Sequence, residues 1–237
     1  METTVQKQFT NAQLLRLLWP LVIEQALAAL VGMADTVMVS SVGEAAISGV
    51  SLVDMINNLI FNVFAALATG GAVVTSQFLG AKQGDEARRS AGQLVALSAL
   101  LGLAVMAFCL AGRQTLLRLF FGRSYPFLAL YNAGAAIFRS VGNSAVSMRV
   151  SVLMNLINVC GNAFCVFVLK MGVAGVAVPT LVSRMVGAAV ILAMTNRHDN
   201  PARVTWEAVR RPRPAMIRSI LYIGIPSALE NSLFQLG

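Results

Sequence analysis

Charged residues are scarce in this chain: Asp, Glu, Lys and Arg make up 12% of its 237 residues, against roughly a quarter in an ordinary soluble domain. Hydrophobic residues make up 57%, and the mean hydropathy is +0.73. Several windows of about twenty residues carry almost no charge, which is the length that a helix needs to cross the hydrocarbon core of a bilayer. The composition therefore excludes an ordinary soluble domain and predicts a helical membrane protein.

Histidine and cysteine are also rare, with one His and three Cys. Cys109, Cys160 and Cys165 fall inside apolar stretches without metal-ligand spacing, so we expect buried thiols and neither a disulfide framework nor a metal site. His198 lies in a polar segment, where a surface role is the usual one. No His-Glu-x-x-His or Gly-x-Ser-x-Gly motif occurs, and we expect neither an enzyme nor a cofactor.

The formal charge of +8 does not indicate nucleic acid as a partner, because the basic residues lie between apolar runs and not on one soluble face. They indicate topology instead. If the N-terminus is cytoplasmic, the inner segments hold Lys7, Arg16, Lys82, Arg88, Arg89, Arg139, Arg149, Arg197, Arg203, Arg210, Arg211, Arg213 and Arg218, and the outer segments hold Arg113, Arg118, Arg123 and Lys170. This asymmetry follows the positive-inside rule. We expect a multi-pass protein of the plasma (cell) membrane with a cytoplasmic N-terminus.

The apolar windows predict six membrane crossings and the start of a seventh. They lie at residues 14–40, 50–79, 90–112, 124–142, 146–169, 173–195 and 217–237, and the fourth is barely long enough to cross. The segment between the last two windows contains prolines and arginines, so it is predicted to lie outside the bilayer core. We expect a six-helix transmembrane lobe over 1–195, a basic cytoplasmic linker over 196–216 and the first helix of a second lobe over 217–237.

A short pattern occurs twice, about two hundred residues apart. Pro20 is followed four residues later by Glu24, and Pro226 is followed four residues later by Glu230. Each pair opens an apolar run. The repeat predicts a membrane protein of two similar halves, of which this chain holds the first half and the truncated start of the second.

Two acids interrupt the first apolar window. Glu24 and Asp35 are eleven residues apart, so on a helix they point to nearly the same side, at depths that differ by about 16 Å. Acids in lipid-embedded helices are costly and usually mark an ion or substrate path. We interpret both as ion-coupling candidates, with a hydrogen bond to a neighbouring helix as the alternative for either acid.

Polar residues also mark one face of the second and fifth windows at helical spacing. They are Asp54, Asn58 and Asn62 in the second window and Asn155, Asn158 and Asn162 in the fifth. A central, water-accessible cavity that lines a substrate path would bring these faces together, and interhelical hydrogen bonding is an equally good explanation of the asparagines. Arg184, inside the sixth window, either neutralises one of the acids or reaches toward the inner interface.

Several segments resemble the multidrug and toxic compound extrusion (MATE) transporters. The run from Pro20 through Asp35 to Val39 resembles the opening helix of that family with its embedded aspartate. Residues 77–85, 138–144 and 172–180 resemble its loop after the second helix, its Arg-x-x-Gly-polar turn after the fourth and the glycine-rich entry to its sixth. The order and spacing of these segments cover nearly the whole chain.

This resemblance implies an all-α inverted-V transporter of two six-helix lobes, which exports cationic or amphipathic drugs in exchange for protons or sodium ions. It implies that Asp35 is the coupling acid, with a sodium ion as one candidate occupant. It adds Asn158, Asn162 and Thr180 to the cation cluster, and it places Glu230, the acid near the start of the seventh helix, among the residues of the substrate path. Membrane lipid and the second half of the transporter are the further partners we expect.

One departure from the family pattern concerns Asn162, since many members have an aspartate at that position. Asp35, helped by Glu24, must then carry more of the coupling. The alternatives are a lipid-linked saccharide flippase of the same superfamily and an inactive or assembly-dependent transporter fragment. A flippase is expected to line its cavity with several arginines for pyrophosphate, and only Arg184 lies inside a window. An intramembrane enzyme is disfavoured because Glu24 and Asp35 are too far apart to share a reacting centre.

Overall fold

α-Helices make up most of the part of the chain that the computed structural model describes, which is residues 11–40, 44–111, 122–172 and 174–236. They are α1 (Asn11–Ser40), α2 (Glu44–Gly80), α3 (Gly84–Ala111), α4 (Tyr125–Ser140), α5 (Ser144–Ala163), α6 (Ala174–Thr195), α7 (Trp206–Arg210) and α8 (Pro214–Leu236). A 3-10 turn over Gly122–Ser124 leads into α4, and α5 continues into a π-helical turn over Phe164–Val168. No strand occurs among these described residues. The predicted all-α fold class is confirmed.

Five of the described helices are long and apolar enough to cross a bilayer. The candidate spans are Leu17–Met38, Met55–Gly80, Gly84–Ala111, Ser144–Val168 and Ala174–Thr195, which lie in α1, α2, α3, α5 with its π-helical turn, and α6. The sequence predicted a sixth crossing at α4. That helix has 16 residues, which is about 24 Å and short of the roughly 30 Å hydrocarbon core.

The short helix α4 is the most enclosed element of the fold. Every residue from 131 to 138 is buried, and α4 packs against α2, α3, α5 and α6. Gly134 permits the contact with α6, because a Cβ there would lie 2.7 Å from Cγ2 of Ile191. Since neighbouring helices and not lipid surround it, α4 does not have to match the bilayer thickness with its own length.

Two apolar clusters lie on opposite sides of α4. One combines α2, α3, α4, the linker and α8, with Leu67, Leu94, Ile137, Ala202 and Ile220 among its buried members. The other combines α4, α5 and α6, with Tyr131, Phe138, Val146, Val150 and Ile191 among its buried members. The position of α4 between them explains why five of its sixteen residues are alanine or glycine, since small side chains permit close approach of helices.

A tight turn sets α5 beside α4. Gly142 has φ +77°, a left-handed conformation that glycine adopts without steric cost. The backbone amide of Gly142 donates to the carbonyl of Arg139 at 3.0 Å, and that of Asn143 donates to the carbonyl of Phe138 at 2.9 Å. These bonds satisfy carbonyls at the end of α4. The turn places the first residues of α5 against the second half of α4.

The segment between α6 and α8 is docked on α3. Gln93 of α3 is 2% exposed and donates through Nε2 to the carbonyls of Ala208 at 2.6 Å and Arg211 at 2.9 Å. Its Oε1 accepts from the backbone amide of Arg213 at 3.2 Å. Gly92 permits the approach, since a Cβ there would lie 2.5 Å from that of Ala208. One buried side chain thus satisfies three backbone groups of this segment.

The helix α8 begins at Pro214, three residues before the predicted start, because proline is well suited to the first position of a helix. It packs along α2. A Cβ at Gly70 of α2 would lie 2.9 Å from the backbone nitrogen of Gly224 and would also meet the carbonyl oxygen of Ile220. The two backbones therefore touch at a contact between glycines.

The first helix, α1, is the most exposed of the long helices. It packs mainly on α5 and to a lesser extent on α2, and it runs without interruption through Pro20. Only 6% of its most apolar window is buried. Large apolar side chains on its open surface are Leu15, Leu18, Trp19, Val22, Leu30, Met33 and Val37.

Candidate functional site

Four of the predicted ion-coupling residues meet between α1, α5 and α6. Asn162 of α5 donates through Nδ2 to Oδ1 of Asp35 on α1 at 2.7 Å and to Oδ1 of Asn158 at 3.1 Å. Asn158 donates through Nδ2 to Oγ1 of Thr180 on α6 at 2.9 Å, and the Thr180 hydroxyl donates to the carbonyl of Val176 at 2.8 Å. We call Asp35, Asn158, Asn162 and Thr180 the Asp35 cluster.

The hydrogen bonds of the Asp35 cluster run in one direction. The Thr180 hydroxyl gives its proton to a backbone carbonyl, so its oxygen accepts from Asn158. The oxygen of the Asn158 amide is then turned toward Asn162, whose nitrogen faces two acceptors. This network fixes the orientation of both amides. The remaining oxygen, Oδ1 of Asn162, is buried and has no partner among the described residues.

That oxygen and the Asp35 carboxylate are oxygen groups of the kind that hard cations prefer as ligands. Asn162 is fully buried at 0% exposed, and Asp35 is half-buried. A buried acceptor without a partner costs about 1–3 kcal/mol, and a bound proton or metal ion would relieve that cost. Oxygen ligands suit hard cations. No group of three His, Cys, Asp or Glu side chains able to hold a metal occurs among the described residues, so the residues fit a weakly held monovalent ion better than a transition metal.

Close packing of α5 on α6 brings the cluster together. A Cβ at Gly161, beside Asn162, would lie 2.6 Å from Cβ of Pro179, so α6 reaches α5 only because this residue is glycine. Pro179 precedes Thr180 inside α6 and has no backbone amide to donate. Asn158 and Asn162 are one helical turn apart and therefore share a face of α5.

Glu24 does not join the Asp35 cluster. Its Oε1 accepts from the Tyr131 hydroxyl of α4 at 3.1 Å, and its Oε2 accepts from the Ser147 hydroxyl of α5 at 3.3 Å. The structure therefore separates the two acids of α1 into two polar clusters, each bonded to α5.

The residues predicted to line a substrate path are dispersed. The side chain of Asp54 lies outside the described residues. Asn58 of α2 and Glu230 of α8 are exposed, and Asn62 and Asn155 are half-buried. None of these four described residues is hydrogen-bonded to the Asp35 cluster. Their role stays a prediction.

Arg184 of α6 donates through Nη1 to Oγ of Ser124 at 2.7 Å. Ser124 is 1% exposed and stands directly before α4. Because α4 and α6 both end at the side where the α4–α5 turn and the linker lie, Arg184 reaches away from that side. Whether that end of the lobe is the inner or the outer interface depends on the orientation, so the role of Arg184 stays a prediction.

Comparison with known proteins agrees with this fold. Residues 20–124 match the MatE family model. The uncharacterized transporter YisQ of Bacillus subtilis (strain 168) is 31% identical over an alignment of 244 positions. The alignment covers 94% of this chain and 53% of YisQ. The probable multidrug resistance protein NorM of Thermotoga maritima is 27% identical, over 95% of this chain and 52% of NorM. Over these residues the chain is similar to MATE-family proteins.

Solved MATE structures have the same helical arrangement. An outward-facing conformation of a multidrug resistance MATE family transporter superposes with a TM-score of 0.83 at 24% identity, covering 94% of this chain and 52% of that one. A MATE in the straight conformation superposes with a TM-score of 0.84 at 24% identity. The chain spans about half the length of the curated relatives it matches.

Three further polar residues were not predicted from the sequence. Tyr131, Ser147 and Gln93 are all buried, and each bonds a partner more than a hundred residues distant. A signal for Ser147 was available, because serines continue the asparagine face of α5 toward its start at helical spacing. Nothing in the sequence pattern marks Tyr131 or Gln93.

Proposed function

We propose that this chain forms the N-terminal lobe of a secondary antiporter, which exports cationic or amphipathic small molecules in exchange for protons or sodium ions. The observation that carries the proposal is the directed hydrogen-bond chain from Thr180 to Asp35, which ends on a half-buried carboxylate beside an unused amide oxygen. The description of NorM as a probable multidrug resistance protein supports the substrate class.

Ion binding would act through the packing of α1 on α5. When a proton occupies Oδ1 of Asp35, that oxygen becomes a poorer acceptor for the Asn162 amide, and the bond joining the two helices weakens. A sodium ion would be held by the Asp35 carboxylate and Oδ1 of Asn162 and would draw the same helices together. In either case the ion binds two packing states of α1 with different affinity, and this difference is what drives a conformational shift.

Assembly with a second lobe is part of the proposal. The open apolar surface of α1 and the exposed Glu230 of α8 support further helices or lipid as neighbours. Alternating access requires two lobes that move about a site between them, so Asp54, Asn58, Asn62 and Asn155 remain candidates for a path that both lobes line. Membrane lipid is the other partner we expect.

The proposed orientation places the N-terminus and the linker in the cytoplasm, in the plasma membrane. It rests on the excess of basic residues in the linker and in or beside the α2–α3 and α4–α5 turns. Exposed His198 and Lys170 permit a direct test. In a background without native cysteines, an impermeant maleimide added to intact cells should label Lys170→Cys and leave His198→Cys unlabelled. The opposite labelling would reverse the orientation.

The decisive experiment is efflux of a fluorescent cation from vesicles under an imposed pH or sodium gradient. The chain is tested together with a second lobe, supplied in continuation or by co-expression, as wild type and as Asp35→Asn. We expect the gradient to drive efflux in the wild type and not in the variant, with Asp85→Asn at the exposed start of α3 as the matched acid control. Gradient-driven efflux that survives in Asp35→Asn would reject Asp35 as the coupling site.

A further inference from the structure

The second acid of α1 lies where three helices meet. Glu24 is bonded to Tyr131 of α4 at 3.1 Å and to Ser147 of α5 at 3.3 Å. Tyr131 is 7% exposed and Ser147 is 0% exposed, so both donors are withdrawn from solvent. We call Glu24, Tyr131 and Ser147 the Glu24 cluster. It lies inside the candidate span of α1, about 16 Å along the helix from Asp35.

Both hydroxyls of the Glu24 cluster have an alternative acceptor. The Ser147 hydroxyl also lies 2.9 Å from the carbonyl of Ser144, and the Tyr131 hydroxyl lies 3.4 Å from the carbonyl of Ser147. When Glu24 is ionised, both hydroxyls turn to its oxygens. When Glu24 is protonated, its own O–H can donate to Oγ of Ser147, whose proton then turns to the carbonyl of Ser144. The cluster therefore satisfies its polar groups in both protonation states, as reversible protonation requires.

The surroundings supply little compensation for a permanent negative charge. Within the described residues, the cationic group nearest along α4 is Arg139, two turns beyond Tyr131, and neither it nor any other cation forms an ion pair with Glu24. The other described cation on the facing elements, Arg149 of α5, is exposed. A carboxylate inside a membrane lobe that is held only by two neutral hydroxyls is costly to keep ionised.

A buried polar seam along α5 connects the two clusters. It consists of Ser144, Ser147, Ser151, Asn155, Asn158 and Asn162, spaced by three or four residues. All but the half-buried Asn155 are buried. Nδ2 of Asn155 is itself buried and has no partner among the described residues. An unpartnered amide in the middle of the seam is a group that a hydrated path would satisfy.

We propose that the Glu24 cluster is a second proton site of this lobe, at the inner end of a hydrated route that follows the α5 seam from Asp35. The inference rests on the antiport function proposed above. In the proposed orientation, a proton that leaves the Asp35 side travels along the seam and binds Oε2 of Glu24. Release to cytoplasmic water near the α4–α5 turn then returns Glu24 to the carboxylate, so no charge accumulates in the lobe.

Infrared difference spectroscopy between acid and alkaline pH tests this without any transport assay. The full chain is purified into lipid nanodiscs as wild type, Glu24→Gln, Asp35→Asn and Tyr131→Phe. We expect a protonation-dependent carboxyl band that disappears in Glu24→Gln and persists in Asp35→Asn. We also expect Tyr131→Phe to shift the frequency of this band, because the carboxyl loses one hydrogen-bond donor. A merely structural hydrogen bond to a permanently charged Glu24 would give no such band.

The outcomes separate this inference from the proposed function. The second proton site would be overturned if the spectra of Glu24→Gln matched those of the wild type across the pH range. This outcome counts only if circular dichroism shows wild-type helicity for the variant. A Glu24 band without any Asp35-dependent band would support the second site and contradict proton coupling at Asp35. Should Glu24→Gln fail to fold, loss or shift of the band in Tyr131→Phe decides, and an unchanged band in that variant refutes the cluster.

Discussion

Asn162 donates its side-chain amide to the carboxylate of Asp35 at 2.7 Å, and this bond joins α5 to α1 across 127 positions of the chain. The amide acts as a fixed donor, because its other acceptor is the oxygen of Asn158. An aspartate at position 162 would have no proton to donate when ionised. The identity of this residue therefore determines how many protons the Asp35 cluster can hold.

The substitution Asn162→Asp should increase that number by one. Two carboxylates so close together cannot both ionise readily, so the pair shares a proton over a range of pH in which an isolated carboxylate is ionised. The measurement is the number of protons taken up per chain between alkaline pH and a pH of about 6, at which an isolated carboxylate is still ionised, read by a pH indicator in unbuffered detergent solution. Asn162→Leu, which removes the amide without adding an acid, is the control and should not gain a proton. An unchanged proton count in Asn162→Asp would show that the two side chains do not face each other.

The close packing of Gly161 in α5 against Pro179 in α6 yields a second prediction. In Gly161→Ala, the added methyl group meets Pro179 at 2.6 Å, so α5 and α6 must separate. We expect a loss of about 1–3 kcal/mol of stability from overpacking, and a weakened bond between Asn158 and Thr180. Thermal unfolding in detergent measures the first effect. Gly32→Ala in α1 is the matched control, because nothing lies within 4 Å of its added carbon; equal melting temperatures for the two variants would count against the close approach.

The sequence identified most of the helices because charge-free windows of about twenty residues are a direct consequence of lipid as solvent. The crossing at α4 stays a prediction, because this helix has 16 residues and is enclosed by other helices, so its apolar composition does not distinguish a membrane span from a buried helix. The five-residue α7 was not predicted at all. A helix that short gains its stability from tertiary docking, here on Gln93, so the local sequence pattern does not predict the helix.

The polar residues of the two clusters were also predicted only in part. Asp35 and Glu24 stand out in the sequence because burying an acid in an apolar window requires a reason. Their assignment to two separate clusters depends on long-range packing, which the spacing of eleven residues along one helix does not reveal. Helical spacing marked Asn158 and Asn162, the family resemblance added Thr180 and the cation-binding role, and the structure adds the direction of their hydrogen bonds. Whether they bind the coupling ion stays a prediction.

Removal of the Gln93 side-chain amide should release the linker. In Gln93→Leu, the carbonyls of Ala208 and Arg211 and the amide of Arg213 lose their partners, and each buried group left unpaired costs about 1–3 kcal/mol. We expect faster cleavage by trypsin after the linker arginines in membrane vesicles that expose this face. Gln77→Leu, at an exposed glutamine of α2, provides the control. Cleavage at the wild-type rate in Gln93→Leu would mean that the docking does not depend on these bonds.

The contact between Gly70 and Gly224 makes α2 the support of α8. In Gly70→Ala, the new Cβ would lie 2.9 Å from the backbone nitrogen of Gly224 and against the carbonyl of Ile220. Backbone atoms cannot rotate away as a flexible side chain can, so α8 must move outward. We expect lower efficiency of disulfide cross-linking between cysteines introduced at Val74 and Ile220, which belong to the same buried cluster, in a background without native cysteines. Gly80→Ala lies on the same helix with nothing within 4 Å of its Cβ and should cross-link like the parent. If Gly70→Ala also cross-links like the parent, α8 is not held at this glycine contact, and its position must depend on the apolar cluster alone.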